Sequence, residues 1–367
     1  MSRGQLPGTP FPLRHNRILM TLVFAAIALG CQAFVRDDFI RQSIAHAQSR
    51  TVTVRSRSGR EVPAVLWRDP AGLGRRDLFY GPGGRDHQPD PNSTYTFLKE
   101  DLKGSQPKFE VKDSHGVRWK AKLGTEARPE TVATRLVWAA GYAADEDYFV
   151  DEIHVDDMPV RLHRGRQLVD GNVVRHVRLE RTSGQPLNIG EWSWRTNPFS
   201  GSRELNGLRV LMAVINNWDL KDINNAVFEV HTNADEEAVE EVFKVKDLGS
   251  SFGSTGLERT DHANGSLRAY RTSSFITDTT SDTVTFRTPG MPDWIVLANA
   301  PQFFRRLHLR WIGHDIPRAD AKWMGSVLSQ IAPDEIRDAF RAAGYTPNEV
   351  DGFTAVVELR IRQLNDL

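Results

Sequence analysis

From residue 117 to 123 polar and apolar residues alternate. Val117, Trp119, Ala121 and Leu123 fall on one side of an extended chain, and Arg118, Lys120 and Lys122 on the other. Two runs before it, 95–99 and 108–112, also read as strands, joined by polar turns at 100–106 and 113–116. The period then changes to that of a helix. Val132, Ala133, Leu136, Val137 and Ala140 form one stripe, with Pro129 to open it and Gly141 to close it. Strand-like segments follow at 148–155 and 173–179. Residues 203–217 carry Leu205, Leu208, Leu211, Met212 and Ile215 at helical spacing. Short strands at 226–230 and 242–245 flank a hairpin loop that holds Asp235, Glu236 and Glu237. Roughly the last hundred residues read as mostly helical: Pro333 starts a helix that Gly344 stops, and Thr346-Pro347-Asn348-Glu349 is a capping box. Strands with one helix come first and a mostly helical half second. That segregation predicts an α+β fold with two lobes, and a cleft between lobes is a common place for a ligand.

The chain has 367 residues, with 47 Lys plus Arg against 47 Asp plus Glu. Without a basic excess there is no field to hold nucleic acid, and any anion site must be local. At the N-terminus Arg3, Arg14, His15 and Arg17 precede an apolar run, 18–30, that ends at Cys31. The run is shorter than the ~20 residues that span a bilayer, so it reads as an export signal. Ala28-Leu29-Gly30-Cys31 resembles a lipoprotein box, which gives lipidation on Cys31; cleavage after Ala33 or Ala47 is the second reading and an uncleaved anchor the third. The expected location is the cell envelope, as a membrane-anchored lipoprotein or a secreted protein. Cys31 is the sole cysteine, which excludes an internal disulfide and cysteine-based zinc or nucleophile chemistry in the body of the chain. The expected divisions are an export segment at 1–30, a tether and loop-rich extension at 31–94 containing a short strand at 62–67, a strand-rich lobe at 95–180, and a helical lobe at 181–367. Gly81-Pro82-Gly83-Gly84 is a poor phosphate cradle, because Pro82 lacks an amide donor and no helix start follows it.

Three short motifs carry the candidate chemistry. In Asp219-Leu220-Lys221-Asp222-Ile223-Asn224 an Asp is followed by a Lys two positions on and an Asn five positions on; Asp247-Leu248-Gly249 comes after the next expected strand. Phosphoryl transfer needs a carboxylate to orient a hydroxyl nucleophile, with an amide oxygen and a carboxylate to hold a divalent cation. Asp219 is the candidate base, Lys221 a charge neutraliser, and Asn224 (or Asn225) and Asp247 the metal ligands. Each residue has a plainer reading, as a turn asparagine or aspartate or a solvated lysine. Lys122, or Lys120 with the same parity, would meet phosphate, and Glu130 in the next helix, or Glu126, would hold that lysine.

Trp119-Lys120-Ala121-Lys122-Leu123-Gly124, the Asp219–Asn224 stretch and Asp247-Leu248-Gly249 stand in the order found in kinases. From about residue 95 onward the chain resembles the atypical protein-kinase-like superfamily of HipA toxins, phosphatidylinositol 3/4-kinases and Fam20-type secretory kinases. Ile336-Arg337-Asp338-Ala339 and Ala343-Gly344-Tyr345 are similar to that group's helical lobe. The resemblance implies a small antiparallel β-rich lobe with one helix, a helical second lobe, and ATP bound between them with Mg or Mn. The acceptor would be a hydroxyl on a protein, sugar or lipid. A pseudokinase, binding nucleotide or another ligand in the envelope without transfer, is the alternative; an unrelated α+β protein is the third reading. The chain departs from the kinase pattern in having no G-x-G-x-x-G turn, only Gly104 within 100–106, and in having Trp218 before Asp219. Trp192, Trp194 and Trp218 with Arg195 read as core aromatics or as a flat platform for a ring.

Overall fold

The computed structural model describes residues 52–70, 76–104, 106–217, 219–231, 239–253, 264–287 and 308–367. The expected export segment with Cys31, Trp218, and the expected loop with Asp235, Glu236 and Glu237 lie outside the described residues. The architecture is mixed α+β, with three sheets and six α-helices among the described residues.

Strands β1 (Val52–Arg55) and β2 (Glu61–Val65) come first. Strands β3 (Thr94–Glu100), β4 (Lys108–Asp113) and β5 (Arg118–Lys122) then form a meander. Helix α1 (Ala127–Ala139) follows, then β6 (Asp147–Asp156), β7 (Val169–Asp170) and β8 (Val173–Arg181). Strand β6 runs parallel to β3, and β8 runs antiparallel to β6 and returns to pair with β5. The circuit β5-β4-β3-β6-β8 therefore closes on itself, with β7 attached to β8. Closure removes the exposed edges that a sheet of this size would otherwise present. The alternation at 117–123 now has a direction. Trp119, Ala121 and Leu123 pack with Phe109, Val111, Val177 and Leu179 inside the barrel, while Lys120 and Lys122 point outward. The parallel β3–β6 pair makes this sheet mixed rather than purely antiparallel.

Helix α1 starts two residues before Pro129. Gly124, at φ 88°, turns the chain early, and the Ala127 amide donates to the Gly124 carbonyl. Pro129 thus occupies the first turn, where no helical amide needs a partner. The early start brings Glu126 to the helix entrance, one turn before Glu130.

A second sheet has the order β1-β2-β11-β10-β9, with β9 (Leu187–Gly190), β10 (Asn225–His231) and β11 (Val239–Val245). Residues 52–55, expected in a tether, are instead strand, because Val52 and Val54 alternate with polar residues and pair with β2. Helix α2 (Arg203–Val214) is capped by Ser202, whose Oγ accepts from the Leu205 amide at 3.1 Å. The C-terminal half holds α3 (Leu267–Thr272), α4 (Arg318–Leu328), α5 (Pro333–Ala342) and α6 (Pro347–Asn365). It also holds a small sheet of β12 (Ile276–Thr279), β13 (Thr283–Phe286) and β14 (Ile316–Pro317), for which no strand was expected in this mostly helical stretch. Its Thr-rich strands β12 and β13 form an antiparallel hairpin at a Thr280–Thr283 turn in which each residue's hydroxyl and backbone bond the other. The capping box at α6 forms, with Thr346 Oγ1 accepting from the Glu349 amide and Glu349 Oε2 accepting from the Thr346 amide at 2.9 Å. Phe252, Tyr270, Phe340, Tyr345 and Phe353 interlock at the centre of this half. Among the described residues no helix is long and apolar enough to cross a membrane.

Candidate functional site

Helix α2 ends because Asn216 takes a left-handed conformation at φ 52°. Its amide donates to the Ala213 carbonyl and the Asn217 amide to the Met212 carbonyl, the paired bonds of a Schellman stop. The chain therefore leaves the buried helix at a fixed angle. Asn217 is itself buried, and its Oδ1 accepts from the Asp219 amide at 2.9 Å. Asp219 is next fixed from ahead: Asn224 Nδ2 donates to its carbonyl at 2.7 Å and to Oδ2 at 3.2 Å. Lys221 Nζ lies 2.8 Å from Asp219 Oδ1. A single 3₁₀ turn, Asp222–Asn224, folds the intervening residues back. The spacing of two and five residues thus brings Lys221 and Asn224 onto one carboxylate. Asn225 is not an equivalent choice, since it is buried and its Nδ2 donates to the Trp192 carbonyl.

Asp247 is joined to this loop through backbone. The Asn224 carbonyl accepts from the Lys246 amide at 2.8 Å and from the Asp247 amide at 3.4 Å, and Asn217 Nδ2 reaches the Asp247 carbonyl at 3.5 Å. Gly249 lies against Glu126. A Cβ there would stand 2.7 Å from both Cβ and Oε2 of Glu126, so glycine is required for space. Residues 250–252 are buried; Phe252 adopts φ 53° and packs against Tyr270 and Phe340.

Lys122 comes from the barrel to meet this end of the helical half. Its Nζ lies 2.7 Å from Glu126 Oε2, 2.8 Å from Glu130 Oε2 and 3.2 Å from Asp247 Oδ1. Both candidate partners for the lysine are therefore used. Lys120 is set apart, 3.7 Å from Glu180. Burial alone would lower the Lys122 pKa, but Glu130, Asp247 and Glu126 outweigh it and hold the ammonium well above its ordinary value. Burial raises Glu126 against the pull of Lys122. Burial likewise pushes Glu130 up to about 7, opposed by Arg178 and then Lys122. Asp247 is also penalised by burial, but Lys122 outweighs that and brings its carboxyl below the usual range.

The carboxylate oxygens of Glu126, Glu130 and Asp247 lie within 4.8 Å of one another, close enough to share a cation. The Lys122 ammonium already fills that position, and the two glutamates are spent on it. Asp247 differs, because its side chain is 43% exposed. A carboxylate with an open side is a hard oxygen donor of the kind Mg or Mn takes. Asp247 fits such a cation on its exposed side, and Asn224 is joined to it through backbone.

Sequence reasoning missed the charges behind Glu130. Arg178, from β8, is 2% exposed; it lies 3.6 Å from Glu130 Oε1, 2.6 Å from Asp147 Oδ2 and 3.2 Å from Glu180 Oε2. Arg135 also pairs with Asp147, at 3.0 Å. Arg178 and Glu180 alternate with Val177 and Leu179 as on any half-solvated strand, so the sequence held no signal that both charges are buried. Trp192 and Trp194 are core, tilted against each other with Trp192 beside Phe243, and form no exposed platform.

Neither a scan against protein-family models nor a search of curated proteins gives a match for this chain. Among solved structures the chain is similar to the Helicobacter pylori proinflammatory kinase CtkA, with a TM-score of 0.41 and 11% identity, over 74% of this chain and 95% of that one.

Proposed function

We propose that this chain is a kinase-like protein that binds a nucleoside triphosphate with a divalent cation beside Lys122, Asp219, Asn224 and Asp247, and transfers the terminal phosphoryl group to a hydroxyl. The observation that carries the reading is the meeting of Lys122 with Asp247, 125 positions apart in sequence and 3.2 Å apart in space. With them stand a glutamate-held lysine and an Asp–Asn loop bonded to the Asp247 backbone.

The division of labour follows from what each side chain can do. Lys122, held by Glu126 and Glu130, presents a fixed positive charge to the non-transferred phosphates. Asp247 and Asn224 offer oxygens to the cation, which neutralises phosphate charge when bound. Asp219, held by Asn217 and Asn224, orients the acceptor hydroxyl and takes its proton. Lys221, paired with Asp219, is placed to balance charge on the transferring group. The acceptor belongs to a protein, sugar or lipid, and the cell envelope is the proposed setting, by the N-terminal export signal.

Thermal unfolding with Mg-ATP or Mn-ATP tests the reading. A rise in melting temperature that Asp247→Ala removes supports it, and no rise with any nucleotide and metal rejects it. Phosphate transfer to a peptide, sugar or lipid panel that Asp219→Ala abolishes identifies a kinase. Binding without transfer, unchanged by Asp219→Ala, identifies a pseudokinase.

A further inference from the structure

In the arrangement described, Lys122 serves three carboxylates at once. Binding a triphosphate, on the reading proposed above, draws its ammonium toward phosphate and away from Asp247. Glu130 is the group most exposed to that change, because its side chain is 3% accessible and water cannot replace a lost counter-ion. A second cation stands on its other oxygen. Arg178 Nη2 faces Glu130 Oε1 at 3.6 Å, while Lys122 holds Oε2 at 2.8 Å.

The remaining contacts of Arg178 explain why it cannot drift. Its Nε donates to Asp147 Oδ2 at 2.6 Å and its Nη1 to Glu180 Oε2 at 3.2 Å, so the guanidinium is fixed at two other corners. Both of those acids have other cations. Asp147 keeps Arg135, and Glu180 keeps Lys120 and Lys246. Glu130 has Lys122 and Arg178. Asp147 and Glu130 are each left with one other cation, and of these Lys122 is the one that phosphate would draw on, so Glu130 is the acid that comes to depend on Arg178.

We infer that Arg178 is a positioning residue: it fixes the Glu130 carboxylate from behind, so that Lys122 exchanges Asp247 for a phosphate oxygen without leaving Glu130 short of a counter-ion. The inference rests on the proposed nucleotide site. It adds that phosphate affinity depends on a side chain that never touches phosphate.

A double-mutant cycle with a nucleotide comparison tests it. Mg-ATP and adenosine affinities are measured by calorimetry on the full chain for the parent, Arg178→Met, Glu130→Gln and the double variant. Arg178→Met is expected to weaken Mg-ATP at least tenfold and to change adenosine less than twofold. In the Glu130→Gln background the same substitution is expected to change Mg-ATP less than twofold. Arg178→Lys, which keeps a cation near Glu130, is expected to recover most of the loss. A purely structural role would weaken both ligands or neither, and would act equally in both backgrounds; either result overturns the inference. If Arg178→Met does not fold, Arg178→Lys and the double variant decide. The inference then requires Arg178→Lys to bind Mg-ATP nearly as the parent does, and the double variant to match Glu130→Gln. A parent chain that binds no Mg-ATP rejects the proposed function itself, a different outcome from any of these.

Discussion

Replacing Lys122 by Met removes one ammonium from three carboxylates and keeps the apolar stem. Only two of the three should matter. The Asp247 side chain is 43% exposed and water takes over its charge, whereas Glu126 and Glu130 are 7% and 3% exposed. Breaking a buried pair by deleting one partner costs about 3–5 kcal/mol, against a total stability of about 5–15 kcal/mol for a domain. Glu130 retains Arg178 at 3.6 Å, while Glu126 keeps the Ser250 hydroxyl at 3.4 Å, so Glu126 suffers more. Adding Glu126→Gln to Lys122→Met should therefore recover more stability than adding Asp247→Asn. The loss also has a sign in pH. Buried carboxylates without the ammonium are raised further in the folded state and accept protons more readily there, so the cost is smaller in acid and grows as pH rises. Urea unfolding at about pH 5.5 and about pH 8 measures both effects. A loss below about 1 kcal/mol, or one equal at the two pH values, would refute the reasoning.

Gly249→Ala is expected to push Glu126 off Lys122, since the new Cβ meets Glu126 at 2.7 Å. Overpacking of this kind costs about 1–3 kcal/mol, and weaker Mg-ATP binding should accompany it; unchanged stability and binding count against the packing described. The raised Glu130 gives wild type a decline in stability with pH. A folded-state pKa of about 7, above the unfolded 4.5, contributes stability fully present below 4.5 and lost as pH rises through 7. Glu130→Gln should remove that part, so the melting-temperature difference between variant and wild type should change across this window and be level outside it.

The elements of the barrel were legible because alternation and helical spacing are local. The period showed that Lys122 lies opposite Trp119 and Leu123, but not which face is the interior; that was set by the return of β8 to β5, a pairing between residues 56 to 62 positions apart. The Asp219–Asn224 and Asp247 motifs were legible for a similar reason, since their spacing encodes a turn and a strand end. Asn216 and Asn217, which stop α2 and hold Asp219, lay in plain view as a pair after an apolar helix. Glu126 and Glu130 both meeting Lys122 depended on where α1 begins, which Gly124 decides and Pro129 disguises. Arg178 stayed hidden because its partners come from α1, β6 and its own strand, and no sequence period links them. The β12–β14 sheet was overlooked because strands of two to four residues leave too short a pattern to set against surrounding helices.

The central claim is that Asp247 and Asn224 hold a divalent cation that a nucleotide brings to Lys122. Electron paramagnetic resonance of Mn(II), titrated onto the full chain with and without ATP, reads this directly. The account predicts one tightly held ion in the presence of ATP, lost in Asp247→Ala and weakened in Asn224→Ala. Mn(II) held equally well without nucleotide, or held with ATP after Asp247→Ala, would contradict it.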